Sequence, residues 1–262
     1  MDRPRVFLLL SSLCLCVSVV SPPPNCAQDK KKPEQKADPR VTVVIPLGAA
    51  PGKTSKLTIR GLQLEGASAV RFDTVKATGK ILSKGQAPVP DKNPDKVGDT
   101  QLVVEVTLPA DLPDGPLPFT VVTPGGETKP HALLIESKLP VIPEKEPNEG
   151  FRQAQRIQVP QVVEGVIERP RDVDVFRFEG KAGQRLRLEV LAARYGSALD
   201  SILTLYDADG REIASNDDSG GSLDSRFVVR LPREGTYYLG LIDAHDTGSP
   251  VHVYRLVVRA VE

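Results

Sequence analysis

The sequence predicts an all-β fold made of two successive β-sandwich domains, and three observations predict it. Short runs that alternate polar and apolar residues recur along the chain, as half-buried strands require. The 262 residues include 24 prolines and 21 glycines, which punctuate those runs. Helix formers never gather into a long periodic stretch. A chain of this length can bury one large core or two smaller ones, and a Pro-rich join over residues 137–143 divides it into two.

The first 27 residues predict a signal peptide. Arg3 and Arg5 form the positive end, residues 6–20 form the apolar segment, and cleavage is expected after Ala27. The apolar segment is short for a membrane span and runs into Ser21-Pro22-Pro23-Pro24; an uncleaved anchor is the alternative. All three cysteines, Cys14, Cys16 and Cys26, lie at or before the cut, so the mature chain has no thiol, disulfide or cysteine metal site. Pro24-Asn25 replaces the small residues expected before a lipidated cysteine and argues against an anchor at Cys26. The expected location is secreted or periplasmic, with no membrane span in the mature chain. Residues 28–40 are charged and nearly free of apolar side chains, and predict a disordered tether. Lys plus Arg and Asp plus Glu both number 34, so charge gives no footprint for a nucleic-acid partner.

From Val41 to Glu136 the strands run over residues 41–46, 55–60, 69–72, 102–108, 119–122 and 132–135, with turn material at residues 48–52. Lys84 to Gly98, with three prolines and several charges, predicts an exposed inserted loop. Ala50-Pro51-Gly52, Leu57-Thr58-Ile59-Arg60-Gly61-Leu62, Ala69-Val70-Arg71-Phe72 and Leu112-Pro113-Asp114-Gly115 leading to Thr123-Pro124-Gly125-Gly126 resemble the immunoglobulin-like IPT/TIG fold. The resemblance implies an Ig-like sandwich over residues 41–136 and says little of function. The join at residues 137–143 predicts two sandwiches end to end with some freedom between them.

Residues 144–262 continue with about eight strands, at residues 162–167, 173–178, 184–191, 202–206, 213–214, 227–231, 237–241 and 251–258. Turn signals fall every ten residues or so, the pattern of a sandwich or jelly roll. Glu146-Pro147-Asn148-Glu149, Asp172-Val173-Asp174-Val175-Phe176, Leu205-Tyr206-Asp207-Ala208-Asp209-Gly210, Ser215-Asn216-Asp217-Asp218 and Gly235-Thr236-Tyr237-Tyr238 together resemble the bacterial pre-peptidase C-terminal family, almost continuously over this half. The resemblance implies a jelly-roll-like sandwich that serves as a binding or accessory module of exported proteins.

Asp172 and Asp174 lie two apart on a strand and so share a face, which Phe176 and Phe178 continue into the core. Pro147 keeps the preceding chain extended, so that acids of the Glu146–Glu149 segment approach the rim. Calcium takes six to eight oxygen ligands gathered from separate segments. Related collagen-binding domains hold calcium with acids of this kind, and the resemblance implies Glu146, Asn148, Glu149, Asp172 and Asp174 as ligands of a structural Ca2+. The other reading of these acids is turn capping and a solvated sheet edge. Asp207-Ala208-Asp209-Gly210 lacks the remaining ligands of a calcium loop and predicts a hairpin turn.

The three histidines, His131, His245 and His252, fall in no hydrolase, phosphate-loop or dinucleotide motif. His245 could be paired with Ser201 or Ser225, a combination that loops of a β-sandwich produce by chance. Trp is absent, so the usual sugar platform is missing. The expectation is an exported, non-catalytic protein that engages extracellular polysaccharide, a protein matrix or an envelope protein. The alternative is an accessory subunit or chaperone of a separately encoded secreted peptidase or other hydrolase.

Overall fold

The computed structural model describes residues 38–74, 76–90 and 93–262; the signal-peptide expectation for residues 1–27, and the tether as far as residue 37, lie outside them. Strands dominate, as the sequence predicts. The first half contains β1 (Arg40–Ile45), β2 (Gly48–Ala49), β3 (Thr54–Leu62), β4 (Ala69–Phe72), β5 (Thr78–Gln86), a short helix α1 (Pro94–Val97), β6 (Thr100–Thr107), β7 (Gly115–Thr123), β8 (Gly126–Glu127) and β9 (His131–Ile135). Their order is β1-β3-β6-β5-β4-β7-β9-β2, with β8 paired to β7. β4 and β5 share only the Val70–Gly79 pair, and there the sheet folds over. Leu57, Ile59, Leu102 and Val104 from one layer then meet Phe119, Val121 and Leu133 from the other. Alternation explains these choices: β6 buries Leu102, Val104 and Val106 and turns Glu105 outward.

Three details depart from the sequence expectations. Arg40, assigned to the tether, begins β1 and pairs with Leu62 and Asp95. β5 was not foreseen, because it is almost wholly exposed; ladder hydrogen bonds to β6 hold it instead of burial. The segment from Lys84 to Gly98 is not simply an exposed loop. Lys84–Gln86 prolong β5, and Asn93 caps α1 through the Lys96 N–H at 3.3 Å. Val97 is buried, and the buried Arg60 donates to the carbonyls of Gly98 and Pro88. A guanidinium with two carbonyl acceptors pins both ends of the segment.

The second half contains β10 (Val141–Pro143), β11 (Gln155–Arg156), β12 (Gln161–Val166), β13 (Asp174–Gly180), β14 (Arg185–Leu191), β15 (Ser201–Tyr206), β16 (Glu212–Asn216), β17 (Arg226–Arg230), β18 (Gly235–Asp243) and β19 (Val253–Ala260). They form two five-stranded sheets, β10-β12-β19-β14-β17 and β11-β13-β18-β15-β16. The inner faces enclose Phe176, Phe178, Leu186, Leu188, Leu203, Leu239, Tyr254 and Leu256. No helix among the described residues is long and apolar enough to cross a membrane.

The join between the halves is not free. Asp114 accepts from the Ser137 amide and hydroxyl, and Val141–Pro143 pair in parallel with Val162–Glu164. Val43, Leu47, Val97 and Leu134 of the first sandwich share one buried cluster with Ala198, Val251 and Val253 of the second. Residues 37–262 accordingly form one unit. The freedom expected from the Pro-rich composition is removed by this common apolar contact, which only tertiary packing reveals. Gly48 belongs to the same contact: a Cβ there would overlap the guanidinium of Arg255, itself paired with Glu164 at 2.7 Å.

Candidate metal centre

The chain reaches the second sandwich through an extended acidic arm, residues 144–151, laid against both sheets. Glu144 N–H bonds the Glu164 carbonyl at 2.8 Å, and the Asn148 carbonyl accepts from Val175 N–H at 3.0 Å. Glu144 and Glu146 meet Asp174, at the start of β13, and Asn148 joins them through its hydrogen bond to Glu144. Ligand oxygens of Glu144, Glu146 and Asp174 lie within 4.8 Å of one another.

Asn148 and Asp174 are fully buried. Asn148 Nδ2 donates to Glu144 Oε1 at 2.9 Å, Val166 N–H to Glu144 Oε2 at 2.8 Å, and Tyr254 Oη to Asp174 Oδ2 at 2.6 Å. These bonds leave Asn148 Oδ1 and Asp174 Oδ1 buried without a partner. Buried polar atoms in native proteins are nearly always satisfied, so two orphaned acceptors beside two more carboxylates describe a place for a cation. The donors are three carboxylates and one amide oxygen, hard ligands that suit calcium and offer nothing for a thiophilic or imidazole-seeking metal. Gly165 keeps the place open, since a Cβ there would overlap Tyr254 Oη and Glu144 Oε2.

Electrostatics agree with this geometry. Burial, followed by the hydrogen bond and charge of Glu144, pushes Asp174 up to about 10, against the pull of the Tyr254 hydroxyl. Burial also raises Glu146, with repulsion from Glu144, Asp172 and Glu149 adding to it. Tyr254 lies well above its ordinary value, through burial first and then the charges of Asp174 and Glu144. With no cation, the buried Asp174 carboxyl keeps its proton.

Of the five residues implied by the resemblance, the structure brings Glu146, Asn148 and Asp174 together. Glu149 lines a cleft with Glu146 but pairs with Arg169, at 2.7 Å. Asp172 is buried beside the cluster, but its carboxylate accepts from Glu168 N–H at 2.7 Å and faces Arg169 at 3.6 Å. It precedes β13 instead of lying on it, and with Glu146 and Glu149 it lines a small cleft beside the cluster. Sequence reasoning missed Glu144 and Tyr254. Glu144 belongs to the same acidic run as Glu146 in the sequence, whereas Tyr254 arrives from 80 residues away.

The other sequence candidates are internally engaged. Asp207 accepts from Asp209 and Arg211 N–H groups at 2.9 and 3.0 Å, as a turn requires. Asp224 accepts from Ala192, Ala193 and Arg194. Ser201 and Ser225 are buried and bond each other at 2.9 Å, while exposed His245 faces Asp200 at 3.5 Å.

Three residues beyond Asn148 the arm carries Phe151 onto the outer face of the second sheet. Its ring stacks on Tyr238, with centroids 4.5 Å apart, and tilts against Tyr206 at 5.4 Å. Beside it runs a groove of about 270 Å³ lined by Glu149, Phe151, Val175, Ile202, Tyr206 and Ile242.

Residues 172–242 match the profile of the bacterial pre-peptidase C-terminal domain, and this part of the chain is such a domain. A probable subtilase-type serine protease of Deinococcus radiodurans is 43% identical over 97 residues, covering 36% of this chain and 13% of that protein. The chain thus spans about an eighth of that relative's length. Among solved structures, the pre-peptidase C-terminal domain of a Bacillus anthracis collagenase is similar at 19% identity, covering 44% of this chain and 100% of that one, with a TM-score of 0.33. PliG of Aeromonas hydrophila, a periplasmic inhibitor of g-type lysozyme, is 17% identical over 47% of this chain and 98% of its own, with a TM-score of 0.32.

Proposed function

We propose that this is an exported, non-catalytic binding protein whose second sandwich holds a structural calcium ion and uses the adjoining aromatic groove to engage an extracellular polymer, protein matrix or envelope protein. One observation carries the reading: the arm that brings Glu144, Glu146 and Asn148 to Asp174 also brings Phe151 to the groove. Bound calcium would supply two positive charges in place of the protons on the carboxylates. The side chains do the rest. Asn148 Oδ1 and Asp174 Oδ1 turn inward, Tyr254 fixes the far oxygen of Asp174, and the arm is held against β13. With the arm fixed, Phe151, backed by Tyr238, and Tyr206 offer a preformed apolar wall at low entropic cost. In this reading the first sandwich is the IPT/TIG-like module that presents the second, and the protein is secreted or periplasmic.

The second reading, an accessory subunit or chaperone of a separately encoded peptidase, is favoured by the 43% identity to part of a subtilase-type protease. Retention of the full chain on collagen fibrils and insoluble polysaccharide, in calcium and in chelator, separates the two. Polymer binding predicts retention in calcium, weakened roughly tenfold by Phe151→Ala or Tyr206→Ala. If neither polymer retains the protein, or the two variants bind as wild type does, the groove reading is wrong. Co-purification with an exported peptidase would then favour the accessory role.

A further inference from the structure

We infer that the outer face of the β17-β14-β19 sheet is a binding surface for an acidic polysaccharide, separate from the aromatic groove and from the metal centre. Leu186, Leu188, Val258 and Leu256 point into the core, so the alternate residues Arg185, Arg187 and Arg259 face outward. On β17, Phe227 and Val229 pack inward, and Arg226, Val228 and Arg230 face outward. The ladder sets Arg230 directly opposite Arg185, and Arg187 directly opposite Arg259. Two cross-strand pairs of like charge thus sit side by side. Such pairs weaken a sheet, and folding alone gives no reason to place them together.

One acid stands among them, Glu189, which the ladder sets opposite Arg226. Arg187 shares Glu189, at 2.7 Å, with Arg194. Among the described residues, no side-chain carboxylate lies within ion-pair distance of Arg185, Arg226, Arg230 or Arg259. Arg185 reaches the main-chain oxygen of Glu262. The Nε atoms of Arg187 and Arg259 are buried without an acceptor. A chain of zero net charge has nevertheless gathered five arginines on one face.

The shape of the surface selects the partner. Adjacent strands stand about 4.8 Å apart, so the arginine block over three strands is roughly 10 Å wide. Arginines spread over three strands can meet repeated carboxylates or sulfates along an extended chain, each guanidinium forking onto one group. Bases of a single strand would find no aromatic ring to stack on, since the outward neighbours here are Val228, Val257 and Glu189. Choosing a glycan also rests on the reading of the protein as exported.

The test measures binding of the full chain to polygalacturonate, dextran sulfate, neutral dextran and single-stranded DNA at two salt concentrations. Expected is binding to polygalacturonate, dextran sulfate or both, weakened by salt, and none to dextran; the arm that binds identifies carboxylate or sulfate. Arg185→Gln with Arg230→Gln should weaken it roughly tenfold and flatten the salt dependence. The melting temperature should hold or rise, because a repulsive pair is gone. Lys53→Gln with Lys56→Gln on the first sandwich should leave it unchanged. The inference is overturned if the arginine variant binds like wild type, if neither acidic polymer binds, or if DNA binds more tightly than both.

Discussion

Asp174 cannot be ionised cheaply where it stands: it is buried, next to Glu144, with one oxygen orphaned. Only a proton or a cation resolves that conflict. Calcium at a hundredfold excess over its dissociation constant should therefore stabilise the protein by about 2.7 kcal/mol. Glu144→Gln and Asp174→Asn should abolish most of that shift, and Glu149→Gln should keep it, since Glu149 is committed to Arg169. Differential scanning calorimetry of the three variants with and without calcium checks the assignment; equal shifts in all three would refute it. The pH dependence has a definite sign. With its pKa raised to about 10, native Asp174 keeps a proton that the unfolded chain loses near pH 4. Its contribution in chelator is then full below about pH 4 and declines as pH rises towards 10. Calcium takes the place of that proton, so the calcium-dependent rise in melting temperature should be larger at pH 8 than at pH 5.

At the scale of elements, the acidic arm is the segment most dependent on the ion. Its backbone bonds are few: Glu144 to Glu164, Lys145 to Gln155, and Asn148 to Val175. Such weakly anchored segments open locally well before global unfolding. Limited trypsin digestion should cut after Lys145 and Arg152 faster in chelator than in calcium, with the core strands uncut in both. Equal rates would mean that the ion, if bound, does not hold the arm. β5 makes the opposite point about elements: polar and exposed, it persists because β6 pairs with it residue by residue.

Across the whole molecule, the shared cluster of Val43, Leu134, Ala198, Val251 and Val253 couples the sandwiches. Residues 37–262 should melt in one transition, and Ala198→Glu, which buries a charge at the contact, should split it into two. A wild-type thermogram with two resolved transitions would contradict the coupling. His131 lies at this contact, with Gly196 of the second sandwich beside its ring. Burial lowers its pKa, against the opposing effect of a hydrogen bond to the Tyr195 backbone. Below about pH 6.5 the unfolded chain takes up a proton that native His131 resists, so stability falls with pH in that range. In saturating calcium, His131→Gln should flatten the decline in melting temperature between pH 7 and pH 5.

Strand periodicity and turn residues were enough to determine an all-β chain with two cores, because alternation follows directly from side-chain geometry in a strand. The resemblance to the pre-peptidase C-terminal family, not periodicity, pointed to Glu146, Asn148 and Asp174. What neither could show was which acids already had partners. Arg169 takes Glu149 and part of Asp172, and Glu144 and Tyr254 enter the cluster, only after β12, β13 and β19 are assembled. The rigid join and the opposed arginines of β17, β14 and β19 belong to the same class. Each depends on register between segments far apart in sequence, and register is decided by tertiary packing.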